Sequence, residues 1–326
     1  MQQIIAVVGA VVALSLPRIA AAEDAAADKG RPADESGSDE SGKRISDLAK
    51  SVQNPVADLV SVPFQNNTSY NIGPYERAQN TLNIQPVIPF RLSEKILLVT
   101  RTILPIVYQP DVTNTGGGSS GVGDLNPALF LSPAKPGKLI YGIGPIFALP
   151  TATQRTTGSG KWCVGPAAVA LLQPGNWTLG VLASQIWSFA GPDDRTSVSF
   201  LSIQYFVNYN LPDAWYLSSS PIITANFKAV GGDQWTVPFG GGVGKIFKVG
   251  KLPMNGLVQA YYNVRPNDAD TVASWQLRIQ LAFLFPSEAG KKEKKEKEKE
   301  KSDSEQASAA RASVPPSVTA QNSSGK

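Results

Sequence analysis

The chain contains no histidine and a single cysteine, Cys163. An intrachain disulfide framework is therefore excluded. So is any metal or nucleophilic site built on an imidazole, because serine and aspartate nucleophiles are generally activated by a histidine base. No catalytic residue, metal centre or cofactor is expected. Long apolar runs are equally scarce. Residues 4–17 form one of about fourteen residues, short of the roughly twenty that a membrane-spanning helix needs. Ala20, Ala21 and Ala22 follow it, then Glu23, which reads as a secretory leader at 1–22 cleaved after Ala22. Met1, Gln2 and Gln3 depart from that pattern by supplying no basic residue. Hydrophobic residues make up 42% of the chain, too few for a bundle of membrane helices. That share suits a membrane β-barrel, in which only alternate strand residues face lipid.

What the sequence does have is a rhythm. Between residues 64 and 285 it reads as about twelve β-like segments of roughly eight to thirteen residues each. The connections near 72–79, 106–120, 152–161, 190–196, 228–234 and 265–273 are long and polar. Those near 91–94, 134–138, 174–176, 212–214 and 248–251 are tight. Strict long–short alternation is the pattern of an outer-membrane barrel with short periplasmic turns and longer outer loops. A soluble sandwich gives no reason for it. The expected fold is all-β, a transmembrane antiparallel up-and-down barrel of about 12 strands, with both termini periplasmic.

The faces of the strands support this. Over 274–285, Trp275, Leu277, Ile279, Leu281, Phe283 and Phe285 alternate with Gln276, Arg278, Gln280 and Ala282. Over 199–211, apolar residues alternate with Ser202, Gln204, Asn208 and Asn210, with Phe206 out of pattern. Leu217 and Ile223 oppose Ser218, Ser220, Thr224 and Asn226; Leu129 and Leu131 oppose Asp124 and Asn126; Leu82 and Ile84 oppose Asn83 and Gln85. Arg101 is placed inward, because arginine in the lipid face costs about 2–4 kcal/mol at the midplane. Residues 177–189 have mixed faces and give no orientation. All six tryptophans fall near strand ends, as an aromatic girdle requires. Pro86, Pro145, Pro166 and Pro221 each remove a ladder donor, and bulges are expected there.

Outside the barrel, 23–44 is an acidic, Ala/Ser/Gly-rich linker with too few apolar residues to fold. Residues 45–63 carry Ile45, Leu48, Val52, Val56, Leu59 and Val60 at helical spacing, interrupted by Pro55. They predict a short amphipathic helix that would plug the lumen, lie on the membrane or pack under the barrel. After the barrel, 286–326 forms a disordered tail that includes KKEKKEKEKEK at 291–301. This run reads as a solvated tail, or as a tether making periplasmic contact with an anionic partner.

Several stretches carry a resemblance: LAKSVQNPVADLVSVPFQNN (48–67), LNIQPVIPF (82–90), GDLNPALFLSPAKPG (123–137), GIGPIFALPTAT (142–153), WTVPFGGGVGKIFKVGKLP (235–253) and WQLRIQLAFLF (275–285). Together they resemble a family of bacterial outer-membrane β-barrel proteins. Its members are variously named as transporters, as relatives of a phenol-degradation-pathway protein and, by misnomer, after the peptide neuromedin U. The resemblance spans roughly 48–285 and implies an outer-membrane barrel; it implies no substrate.

Other motifs fail. The run from Gly240 to Lys245 lacks the first glycine of a phosphate loop, where Phe239 stands, and the Ser or Thr after the lysine, where Ile246 stands. Asp193 and Asp194 are two acids in a Gly-Pro loop and read as solvated rather than as a calcium site. The expected function is a passive channel or transporter for small solutes through a polar lumen. Arg101, Asp124, Asn126, Gln204, Asn208, Asn226, Gln259, Gln276, Arg278 and Gln280 are its candidate lining. The alternatives are a structural or surface-binding barrel with a filled lumen, in which the same side chains only hydrogen-bond one another, and an outer-membrane enzyme, which the lack of histidine disfavours. The expected partners are outer-membrane lipid, the barrel-assembly machinery and a small solute of unspecified identity, with no nucleic acid.

Overall fold

The computed structural model describes residues 48–229, 234–250, 252–264 and 272–286. The leader, the acidic linker, residues 45–47 of the expected helix and the tail from 287 onward lie outside them.

Fifteen strands form one antiparallel sheet: β1 (Leu59–Ile72), β2 (Arg77–Ile84), β3 (Val87–Arg91), β4 (Ile96–Pro110), β5 (Gly118–Val122), β6 (Asn126–Pro133), β7 (Leu139–Ala148), β8 (Trp162–Leu172), β9 (Trp177–Ala190), β10 (Ser199–Asn210), β11 (Trp215–Ser219), β12 (Ile222–Asn226), β13 (Trp235–Val249), β14 (Leu252–Val264) and β15 (Trp275–Pro286). β15 pairs with β1 from Leu59↔Pro286 to Tyr70↔Trp275, so the sheet closes on itself. Three pairs, β2/β3, β5/β6 and β11/β12, are single barrel strands broken near mid-height, which makes this a closed twelve-strand barrel. Seven strands run twelve to fifteen residues, longer than a soluble sheet needs: β1, β4, β9, β10, β13, β14 and β15 have 14, 15, 14, 12, 15, 13 and 12.

Alternation sets which residues face lipid. On β15, Trp275, Ile279, Leu281 and Phe285 are exposed outward, while Arg278, Ala282 and Leu284 are buried inside. On β9, whose mixed pattern leaves its orientation open, Trp177, Leu179, Val181 and Trp187 are exposed, and Thr178 and Leu182 point inward. All six tryptophans are exposed near strand ends, Trp177 stacking with Tyr209 and Trp275 with Tyr262. An outward apolar belt between two aromatic girdles is the surface a bilayer requires. Polar side chains interrupt the belt in places, among them Asn66, Gln185 and Ser219. Asn66, paired with outward Ile279, bonds reciprocally with Asn80 at 3.0 Å, and Asn80 also donates to Thr68 at 2.9 Å. These side chains satisfy one another, as lipid demands.

Two of the four prolines behave as expected. Pro86 and Pro221 stand at the breaks between β2 and β3 and between β11 and β12. Pro145 and Pro166 instead face each other in an unbroken β7–β8 register. Their missing N–H groups fall on the far edges. There the β8–β9 ladder skips from Val164↔Trp187 to Ala167↔Ser184, and the β6–β7 ladder keeps only Ala128↔Ile146 and Leu131↔Ile143.

The segment ahead of the barrel is shorter as a helix than its periodicity predicts. Among the described residues, helical backbone covers only 48–52. Pro55 lacks an N–H and disfavours helical backbone at Asn54. The Asn54 Oδ1 accepts from Val56 N at 3.0 Å, turning the chain. Residues 59–62, expected as helix, open β1, because their alternating pattern matches the barrel wall. The connection expected at 106–120 also shrinks to 111–117, since β4 continues to Pro110.

Placing arginine on the lipid face tests this orientation. Ile279→Arg should lower the unfolding free energy by about 2–4 kcal/mol in urea titrations in lipid vesicles. The neighbouring inward substitution Gln280→Arg should cost distinctly less.

Candidate functional site

The interior has two zones. The half nearer the short turns is apolar. Leu97, Val99, Phe130, Leu171, Leu182 and Phe206 surround Val56, which is 3% exposed. Phe206, out of pattern in the sequence, is therefore an inward residue. Small residues make the room: a Cβ on Gly142 would meet Val56 at 3.1 Å, and one on Gly180 would meet the Phe206 ring at 2.4 Å. On the opposite wall Ala49, Leu48 and Val52 pack on Tyr216, Ile246 and Leu257, and Ala57 packs on Leu59, Ala282 and Leu284. Gln53 Nε2 donates to Asn210 Oδ1, and Gln173 Nε2 donates to Lys50 O, both at 2.8 Å. Residues 48–57 thus sit inside the short-turn mouth as a stopper. An interior polar throughout, as the sequence suggested, is not what forms. Inward positions at this end meet the stopper rather than water, and apolar side chains lower the free energy of that contact.

Above the stopper lies a polar girdle around a cavity of about 180 Å³. Among the described residues its charged lining is Arg101 and Arg278, and no Asp or Glu lines it. Each arginine stands beside a proline break. Where Pro221 interrupts the strand, Ser220 O leaves the ladder and accepts from Arg278 Nη1 at 2.9 Å. Arg278 Nε donates to Asn67 Oδ1 at 3.0 Å, and the guanidinium lies 5.0 Å from the centre of the Tyr261 ring. Gln259 donates to Ser218 Oγ at 2.9 Å and to Ser220 Oγ at 3.0 Å, completing this cluster. At the other break, Arg101 Nη2 donates to Gln85 Oε1 at 2.7 Å.

Of the residues singled out from the sequence, Arg101, Gln204, Asn208, Gln259, Arg278 and Gln280 line this cavity. The other four do not. Asp124 sits in the β5/β6 break as a loop anchor. Its carboxylate accepts from Ser159 N at 2.6 Å, Ser159 Oγ at 2.8 Å and Ala152 N at 3.3 Å. Asn126 Nδ2 donates to Asp124 O at 2.6 Å. Asn226 accepts from Lys228 N, and Gln276 lies near the outer rim against Ser69. Gln85, Ser218 and Ser220, which the alternation puts on the polar strand face but the candidate set omits, also line the cavity, as does Gln65, which sequence reasoning missed. Pro86 and Pro221 were the available signal, since each marks where backbone groups need inward partners.

The mouth at the long-loop end is partly covered. Thr151, Thr153 and Thr157 bond backbone groups of 122–125, folding the loop 149–161 over the β5/β6 break. Arg195 then donates to Ser159 O, Arg155 O and Gly158 O, and Lys161 Nζ donates to Pro192 O at 2.6 Å, so this loop is stapled to 191–198. Arg155 pairs with Asp194 at 2.8 Å, and this bond holds the Asp194 carboxyl below its usual range. Hydrogen bonds from Asn114 and Thr113 lower Asp111 to about 2. A depressed carboxyl contributes above its unfolded pKa and loses that contribution only as pH falls through the folded value. The loop 111–117 therefore keeps this anchor through mild acid.

No family model matches the chain, and no curated protein matches it in sequence. Solved structures do. An outer-membrane channel from Pseudomonas putida F1 is 17% identical over 70% of this chain and 94% of its own, with a TM-score of 0.55. The NanC porin covers 69% of this chain and 98% of its own at 8% identity, with a TM-score of 0.44. The outer-membrane phospholipase A of Escherichia coli covers 74% and 97% at 13% identity, with a TM-score of 0.38. At these identities the likeness is one of fold, that of bacterial outer-membrane barrels.

Removing the anchor at Asp124 tests the outer cover. Bonds to a charged acceptor contribute about 1.5–3 kcal/mol each, so losing even one makes opening about tenfold more frequent or more. Asp124→Ala should accelerate tryptic cleavage at Arg155 and Lys161 by at least that factor, while the barrel still shows its heat-dependent mobility shift on gels.

Proposed function

We propose that the protein is a passive outer-membrane channel for small solutes, with a weak preference for anions. The observation that carries this reading is the charge of the girdle: two arginines line the central cavity and no acid does. Positive side chains ringing a pore favour anions. Lys and Arg also outnumber Asp and Glu by five over 64–285, which raises the local anion concentration at low salt. The transporter names borne by the family that the chain resembles agree with this reading. No catalytic role is proposed.

In this reading the stopper narrows or closes the pore, and the long loops face outward from the cell. The chain is inserted by the barrel-assembly machinery through its last strand, which ends in Leu281, Ala282, Phe283, Leu284 and Phe285. The Lys/Glu tail then extends into the periplasm as a solvated tether.

A second reading, a barrel permanently filled for a structural or surface-binding role, is favoured by the packing of 48–57 into three apolar clusters. Planar-bilayer recordings separate the two. The full chain should give a small conductance, larger for chloride than for potassium. A chain lacking 23–57, a deletion that spares β1, should conduct more. Val56→Asp should act like the deletion, because a carboxylate cannot stay ionised among Val99, Phe130 and Leu182 without a large desolvation cost. Absence of conductance in all three would favour the filled barrel, and cation preference would show that the arginines do not govern the pore.

Sidedness has its own test. An epitope inserted at Gly117 should be labelled on intact cells and one at Lys135 should not; the reverse result would invert the topology.

A further inference from the structure

We infer that the girdle cavity is a binding site for a small monocarboxylate with an apolar tail, its carboxylate held by Arg101. This rests on the channel reading and names the solute class that the same lumen would take.

The two arginines are not equivalent. Arg278 is 3% exposed and spends its donors on Asn67, Ser220 and Gln259 while lying on the Tyr261 ring. Neutral acceptors take its Nε and Nη1 donors, and it fixes the wall. Arg101 has one protein acceptor among the described residues, Gln85 Oε1 on Nη2. A guanidinium carries five N–H donors in a planar fork. Every fully buried side-chain nitrogen or oxygen among the described residues has a partner. The unbonded Nε and Nη1 of Arg101 therefore border open space, and the space they border is the cavity. Gln85 takes one of the two Nη2 hydrogens, so the other stands parallel to a free Nε or Nη1 donor, and such a pair facing a confined volume with no acid on its lining among the described residues matches an oxyanion bound through two parallel hydrogen bonds.

The rest of the lining selects among oxyanions. Below Arg101 the cavity meets Val87, Leu182 and Phe206, with Pro55 of the stopper beside them. Inorganic phosphate would leave this surface unused. A volume of about 180 Å³ exceeds the roughly 150 Å³ of an engineered cavity that holds benzene, so a six-carbon tail fits. Arg278 has both Nε and Nη1 bound to wall groups, so Arg101 is the more open guanidinium, and one such group suits one negative charge.

Hexanoate, with hexan-1-ol and acetate as comparison ligands, tests the site by saturation-transfer NMR. The full chain is placed in lipid nanodiscs, with empty nanodiscs as the blank. Hexanoate should bind at least tenfold more tightly than either comparison ligand. Arg101→Gln should erase the advantage over hexan-1-ol, and Arg101→Lys, which keeps the charge without the fork, should restore only part of it. Equal binding of hexan-1-ol, equal binding of acetate, or an unchanged hexanoate affinity in Arg101→Gln would each overturn the site. If Arg101→Gln fails the heat-mobility assay for folding, the three-ligand comparison on the unmodified chain together with Arg101→Lys decides. Binding does not require conduction. Hexanoate bound by a barrel that passes no current keeps the site and overturns the channel; anion current without selective hexanoate binding does the opposite.

Discussion

The constraint on which the rest depends is that no backbone polar group can go unpaired where the wall meets lipid. A closed antiparallel barrel meets it along most of its circumference, because every strand has two neighbours. The wall fails where proline or irregular backbone interrupts a strand, and there the repair comes from inside. At Pro221 the freed Ser220 carbonyl recruits Arg278. At Pro86, Pro63 O accepts from Gln85 N at 2.9 Å, Pro86 O accepts from Thr102 N at 3.1 Å, and the Gln85 side chain meets Arg101. At the β5/β6 break, side chains of the 149–161 loop take over the ladder's role. The polar girdle and the outer cover are thus consequences of where the strands are broken.

The apolar zone answers a different problem. A twelve-strand barrel is too wide at its short-turn end for inward side chains alone to fill, and a dry void there would forfeit dispersion contacts. The segment 48–57 fills it with Ala49, Val52, Val56 and Ala57, four small or branched residues. Its polar residues, Gln53 and Asn54, face the cavity side, so the stopper continues both zones. The same segment that completes the core at one end forms the floor of the cavity at the other.

Much of this was legible in the sequence because two periodicities agreed. Period-two alternation on β10 and β15, and alternating loop lengths, both require a barrel, and the tryptophans marked its rims. Arg101 followed from the cost of arginine in lipid, and Arg278 from the alternation of β15. The rest was hidden for identifiable reasons. Phe206 looked like an error in the pattern because its partner, Val56, is about 150 residues away in sequence. Residues 59–62 read as helix because Leu59 and Val60 extend the spacing of Leu48, Val52 and Val56, and only Pro55 argued otherwise. Asp124 looked like a pore residue because alternation reports which way a side chain points. Alternation does not reveal that a loop will fold in to bind it.

The energetics of the two arginines explain why they divide the work. Moving a guanidinium out of water is costly unless its donors find acceptors. Charge-assisted hydrogen bonds contribute about 1.5–3 kcal/mol each. Arg278 donates to Asn67 Oδ1, Ser220 O and Gln259 Oε1, so its burial is offset by fixed neutral groups. It can then hold β1, β14, β15 and the β11/β12 break in register without a counter-ion. Arg101 has only Gln85, and the cavity must supply its remaining partners. Lining one cavity with a cation held by three wall groups and another held by one gives the lumen a positive potential while leaving Arg101 the freer of the two to exchange partners. A matching carboxylate beside Arg101 would have removed both properties, and none lines the cavity.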